Sequence, residues 1–157
     1  MKAAVLTLSD SCVAGTRVDE SGPHIASRLA AAGWDVVAAE IARDERAEIE
    51  AALIRFADEL GADVVLTTGG TGFSTRDVTP EATLAVADRH APGLAEALRA
   101  DGMSKTPHAC LSRGEAALRG ATLIVNLPGS LKAAREGIDF LLPLLPHAVK
   151  MIAGGGH

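Results

Sequence analysis

Apolar residues in this chain fall into short unbroken runs, separated by longer stretches in which they recur every three or four positions. The runs are "AAVLTL" (3–8), "WDVVAAEIA" (34–42), "DVVLTT" (63–68) and "ATLIVNL" (121–127). Apolar on successive positions and rich in β-branched residues, they predict strands covered on both faces. The intervening stretches predict helices. Pro23 suits a first helical turn, and "HIASRLAAA" then runs to Gly33, a residue suited to a left-handed C-cap. Asp44 stands where an N-cap belongs, ahead of a stripe of Ile49, Leu53, Phe56 and Leu60 that stops at Gly61. Thr79 followed by Pro80 reads as a cap and first turn, and "APGLAEALRADG" (91–102) as a second short helix after a break. Within 104–120 a short strand is expected in "HACLSR" (108–113). After "PGS" (128–130) the chain turns helical again, interrupted at Pro143 and Pro146, and closes on a frayed "GGGH".

Strands alternating with helices of this length define α/β class: a three-layer α/β/α sandwich around a largely parallel sheet. No repeat, linker or low-complexity segment divides residues 1–157, so one domain is expected. Apolar residues make up 48% of the chain but aromatics only 3%, with no tyrosine, so the core must be built from Ala, Val, Leu and Ile. The net charge of −5, without any Lys/Arg block, disfavours nucleic acid and anionic membrane surfaces as partners. Cys12 and Cys110 lie far apart and predict two reduced thiols. The N-terminal apolar run is too short for a signal peptide, and no stretch approaches the ~20 apolar residues of a membrane span. A cytoplasmic protein is expected.

Ligands of open α/β sheets bind beyond the carboxyl ends of the strands. The segments there are "SDS" (9–11), "ARD" (42–44), "TTGGTGFSTRD" (67–77) and "NLPGS" (126–130), all small, hydroxylic, acidic or glycine-rich. Gly69, Gly70 and Gly72 can form an anion-binding nest, or only a turn. "PGS" opens a helix whose free amides favour a phosphate, although Ser130 can serve as a simple cap. Lys132 in that first turn opposes the helix dipole, which an anionic ligand would explain. Asp44 and Asp77 can be cap and surface residues, or can hold Mg²⁺ together with substrate oxygens. G-x-G-x-x-G, the P-loop motif and G-x-S-x-G around Ser9, Ser11 or Ser112 are all absent. His24, His90, His108, His147 and His157 show no ligand spacing, which points to structural or solvent-facing roles.

Together, "SDS…DESGP", "TTGGTGFSTRDVTPEA", "TPHACLSRG" and "TLIVNLPGS" closely resemble the MogA/MoaB family of molybdopterin-binding proteins over nearly the whole chain. The resemblance implies a mixed sheet with one antiparallel strand, a homotrimer, and Mg²⁺-dependent transfer of AMP from ATP to the terminal phosphate of molybdopterin, releasing pyrophosphate. It implies a catalytic and metal-holding pair, Asp44 and Asp77. It also implies substrate contacts from Ser9, Asp10, Thr68, Gly69, Gly70, Thr71, Gly72, Ser112, Arg113, Pro128, Gly129 and Ser130. A downstream molybdate-insertion protein is an implied partner. The chain departs from the family pattern at Leu131, where a second proline is frequent, and at Arg43, where a proline often precedes the aspartate. Two rival functions stay open: a paralogue that binds molybdopterin without catalysis, and an interaction scaffold. Both aspartates favour the enzyme, and the lack of extra domains disfavours the scaffold.

Overall fold

The structure is a computed structural model and is described for residues 1–155. Its elements in chain order are β1 (Lys2–Leu8), α1 (Asp10–Val13), α2 (Ser21–Ala31), β2 (Asp35–Ala42), α3 (Arg46–Ile54), β3 (Val64–Thr68), α4 (Thr79–Val86), β4 (Arg89–His90), α5 (Pro92–Met103), β5 (Ala116–Arg119), β6 (Thr122–Leu127), α6 (Leu131–Leu141) and α7 (Leu145–Ile152). A π-helical turn, Arg55–Glu59, extends α3, and a 3₁₀ turn covers Pro107–Leu111.

The six strands form one sheet in the order β2-β1-β3-β6-β5-β4. The first four are mutually parallel, while β5 runs antiparallel to β6 and to β4. Alternate residues of β1 split the core in two. Ala3 and Val5 pack with Ile25, Leu29, Ala95, Ile138 and Leu145, from α2, α5, α6 and α7. Ala4, Leu6 and Leu8 pack with Ile49, Leu53, Phe56, Ala82 and Val86, from α3, its π turn and α4. This is the expected α/β/α sandwich. The apolar runs at β1, β3 and β6 are buried almost throughout, whereas β2, an edge strand, is half exposed.

The connection after β1 leaves by α2 on one face and that after β2 by α3 on the other. The winding therefore reverses at β1, and a crevice opens between the carboxyl ends of β1 and β3.

Several local expectations need correction. "HACLSR" is not a strand: Thr106 caps a 3₁₀ turn there by accepting the His108 amide, and Pro107 starts it. The one antiparallel strand that was expected is β5; the two-residue β4 pairs antiparallel to it and so runs with the other four. Asp44 is not an N-cap, since Glu45 occupies that position without a side-chain bond. Nor does Thr79 cap α4: it is the first helical residue, behind Val78, and its hydroxyl donates to Gly69 O at 3.0 Å. Of the two prolines expected to interrupt the last helical stretch, Pro146 instead lies in the first turn of α7, and the break falls before it. The frayed reading of "GGGH" and the reading of His157 fall partly outside the described residues. No described helix is long and apolar enough to cross a membrane.

Candidate functional site

The ends of β1, β2, β3 and β6 are cross-tied by short polar links. Ser9 N–H donates to Ala42 O at 3.0 Å. The amide of Asp10 donates to Asp44 Oδ2 (3.0 Å), and the amide of Asp44 returns a bond to Asp10 Oδ1 (3.1 Å). Ser9 caps α1 by accepting the Cys12 amide. Thr68 donates its hydroxyl to Pro128 O at 2.7 Å, which ties β3 to the turn after β6.

The glycine loop has a distinct polarity. Thr79 donates to the carbonyls of Gly69 and Gly70, through its hydroxyl and its amide. Arg113 takes the next two, its amide donating to Thr71 O (2.9 Å) and its Nε to Gly72 O (2.7 Å). The amides of Gly70, Thr71 and Gly72 have no intramolecular acceptor among the described residues. A loop whose carbonyls are held by Thr79 and Arg113 while three successive amides stay free has the polarity an anion would require. Glycine is needed for the arrangement. Gly69 (φ +105°) and Gly70 (φ +63°) are left-handed, and a Cβ at Gly70 would stand 2.2 Å from Thr79 Oγ1. Beside the loop, Gly129 approaches so closely that its own Cβ would lie 3.0 Å from Gly69 Cα.

Two hollows flank this ridge. The first, about 470 Å³, is polar and runs from Ser9, Asp10 and Asp19 past Asp44, Gly69, Gly70 and Asp77 to Gly129 and Ser130. The second, about 340 Å³, is mostly apolar; Ala95, Leu98, Ala109 and Leu111 line it, with Thr71, Gly72, Ser112, Pro128 and Ser130 along the shared edge. Ser130 belongs to both. Its side chain caps α6 by accepting the Ala133 amide at 3.3 Å.

Charge in the polar cleft is crowded. The half-buried Asp44 carboxyl has its pKa raised, mainly by burial and then by the charges of Asp10 and Asp77, against the favourable bond from the Asp10 amide. Asp10 is shifted the other way, because Arg76 donates to its carboxylate and the Asp44 amide adds a second bond. Asp77 accepts the Ser74 amide at 2.8 Å. The Asp10, Asp44 and Asp77 carboxylates line one cleft. No three Asp, Glu, His or Cys side chains form a complete cage among the described residues. Mg²⁺ fits these terms, since it takes one or two carboxylates and fills the remaining positions with substrate oxygens or water.

The candidate site residues gather along this one edge, and Arg113 braces it from behind the loop. Besides the loop carbonyls it donates to Asp77 O and pairs with Glu81, so its guanidinium is consumed in holding the loop. Ser112 takes part in its own turn, accepting the Gly114 amide at 3.3 Å. Sequence reasoning gave no role to Asp19, which accepts from Thr7 Oγ1 (2.7 Å) and the Gly22 amide (3.0 Å) and so folds the "DESGP" segment over the cleft. It also passed over Asn126, buried and bonded to Thr67 and Thr83, and Arg76. The quoted motifs contained all three, but apart from the Asp19–Gly22 bond these partners lie 12 or more residues away.

A wound crevice with a glycine loop, a helix N-terminus and clustered carboxylates puts groups suited to phosphorylated ligands at the carboxyl edge of the sheet. The sequence profile described as "Probable molybdopterin binding domain" matches residues 4–147, and the chain belongs to that family. It is 41% identical over 152 residues to the molybdopterin adenylyltransferase of Helicobacter pylori strain J99, covering 96% of this chain and 86% of that protein. It is also 41% identical over 149 residues to the molybdenum cofactor synthesis protein cinnamon of Drosophila melanogaster, spanning 94% of this chain but only 25% of that protein's length. Among solved structures, the molybdopterin biosynthesis enzyme MoaB of Thermus thermophilus superposes with a TM-score of 0.91 at 48% identity, with 98% of this chain and 96% of that one covered.

Proposed function

We propose that this protein is a molybdopterin adenylyltransferase of molybdenum cofactor biosynthesis, a cytoplasmic homotrimer whose single domain uses ATP and Mg²⁺. The observation that carries the reading is the Asp44 carboxylate, half-buried and crowded by Asp10 and Asp77 at the mouth of an anion-ready glycine loop. A binding protein would gain nothing from bringing carboxylates up to a doubly phosphorylated ligand pair, because like charges repel. An enzyme that needs a cation there would. The adenylyltransferase relative, matched over nearly its whole length, supports the same reading.

In the reaction an oxygen of the molybdopterin phosphate attacks the α-phosphorus of ATP. The bond from that phosphorus to its bridging oxygen breaks, and pyrophosphate leaves with the electron pair. The nucleophile belongs to the substrate, so the protein's task is positioning and charge control. The free amides of Gly70 to Gly72 and the first turn of α6 donate to phosphate oxygens. The polar cleft takes the phosphates and the apolar hollow a planar ring, with Ser130 on their common edge. Asp44 and Asp77 would hold Mg²⁺, which supplies neutralisation of the phosphate charge when bound. The AMP-bearing pterin then passes to a molybdate-insertion protein.

Ser130→Asp separates ligand binding from capping. Aspartate caps as well as serine, so the melting temperature should stay within a few degrees. The added carboxylate faces the proposed phosphate position, and molybdopterin affinity measured by fluorescence quenching should fall at least about tenfold, the equivalent of ~1.4 kcal/mol. Unchanged affinity would remove the Pro128–Ser130 turn from the phosphate site.

For the trimer, α7 and its approach expose Leu144 (41%) and Met151 (50%) beside half-buried Phe140 and Leu142. Covering such a surface favours self-association. Light scattering at micromolar concentration should give three times the 16.1 kDa protomer mass; a protomer mass would reject the trimer.

A further inference from the structure

Arg76 is half exposed, yet its whole guanidinium fork is committed. Nε donates to Asp10 Oδ2 at 3.1 Å, and Nη2 to Asp10 Oδ1 and Oδ2 at 3.1 and 2.8 Å. Nη1 donates to Glu45 Oε1 at 2.7 Å. Even a bidentate fork in a small network is a modest source of stability when this exposed, and stability alone is a weak reason for such an arrangement. Its placement gives a better one. The Asp10 oxygen that receives Arg76 also receives the Asp44 amide, and Asp44 Oδ2 in turn receives the amide of Asp10. Arg76 itself sits one residue before Asp77, on the loop that Asp77 closes through the Ser74 amide. The fork is thus the side-chain link between the loop bearing Asp77 and the strand ends that hold Asp44.

We propose that Arg76 is a positioning residue: it pins the Asp77 loop to the Asp10–Asp44 pair and so sets the separation at which the two carboxylates receive a divalent cation. The inference rests on the adenylyltransferase reading. A lysine cannot replace the fork, because a single ammonium lacks the two parallel donors that fix orientation. The sign of the effect distinguishes positioning from simple electrostatics. Removing a positive charge beside a carboxylate cluster should by itself strengthen cation binding, whereas loss of positioning weakens it.

The test is a titration with Mn²⁺, followed by electron paramagnetic resonance of the free ion, on the full chain with ATP present. Arg76→Ala and Arg76→Lys are compared with wild type and with Arg135→Ala, which removes an exposed charge on α6. Both Arg76 variants should bind Mn²⁺ about tenfold more weakly, the usual scale for losing an outer-shell partner. Arg135→Ala should match wild type, and both Arg76 variants should melt within a few degrees of it. Unchanged or tighter Mn²⁺ binding in Arg76→Ala, or full retention in Arg76→Lys, overturns the inference. A wild-type protein that binds no Mn²⁺ beyond that held by ATP overturns the adenylyltransferase reading itself, and this failure is visible before any variant is made.

Discussion

Asp77→Asn and Asp44→Asn are each expected to cut turnover by on the order of 10²- to 10³-fold, the scale of losing one well-placed electrostatic group, while molybdopterin still binds. Asparagine keeps one of the two carboxylate oxygens as a carbonyl acceptor, so the bonds from the Ser74 amide and the Asp10 amide can persist. The charge and the second acceptor are lost. The double variant should be little worse than the worse single one, because groups that act as a unit are not additive. Stability should move the opposite way at Asp44. Its folded pKa is raised above the ordinary carboxylate value, chiefly by burial. The folded state therefore holds the Asp44 proton more tightly than the unfolded chain. Stability from this group falls as pH rises from that ordinary value through the raised one, and at pH 7 the ionised carboxylate is a net cost. Asp44→Asn should then melt no lower than wild type at pH 7, an advantage that vanishes below the carboxylate range. Full activity in either single variant, with the fold intact, would remove the metal-holding pair.

Gly69→Ala should be the most damaging single methyl group in the molecule. At φ +105° the backbone is closed to an L side chain without strain, and the new Cβ would stand 2.3 Å from Leu8 O, a backbone atom at the end of β1. Strain and overpacking cost roughly 1–3 kcal/mol each. A loss of about 3 kcal/mol or more, near 10 °C in melting temperature for a chain of this size, is expected from thermal unfolding. Gly93→Ala is the contrast. Gly93 lies in the first turn of α5, with nothing within 4 Å of an added Cβ. Alanine there should stabilise by about 0.5–1 kcal/mol. Equal effects at the two positions would mean that the Leu8–Gly69 contact does not constrain the loop.

Local patterns carried much of this fold in the sequence. The strands β1, β3 and β6 stood out because parallel strands covered on both faces need no polar alternation, and the Gly69–Gly72 loop because left-handed backbone needs glycine. The misreadings share a physical cause. "HACLSR" has the look of a strand, but Thr106 and Pro107 just before it form a cap and first turn, and a 3₁₀ turn results. Asp44 stood where a cap belongs, but the amide it serves is that of Asp10, 34 residues away. Arg113 braces the loop carbonyls and pairs with Glu81, a contact that no local pattern displays. β4 and β5 escaped because two- and four-residue strands at a sheet edge carry no period long enough to see. The position of the candidate site was thus legible from the order of strands and loops. The division of labour within it, between groups facing ligand and groups bracing the loop, depended on contacts across the chain.

Pyrophosphate release tests the central claim most directly. Purified protein supplied with molybdopterin, ATP and Mg²⁺ should release one pyrophosphate for each AMP transferred to the pterin, and none when molybdopterin or Mg²⁺ is withheld. Molybdopterin bound with no pyrophosphate above background would contradict the account and leave a binding protein in its place.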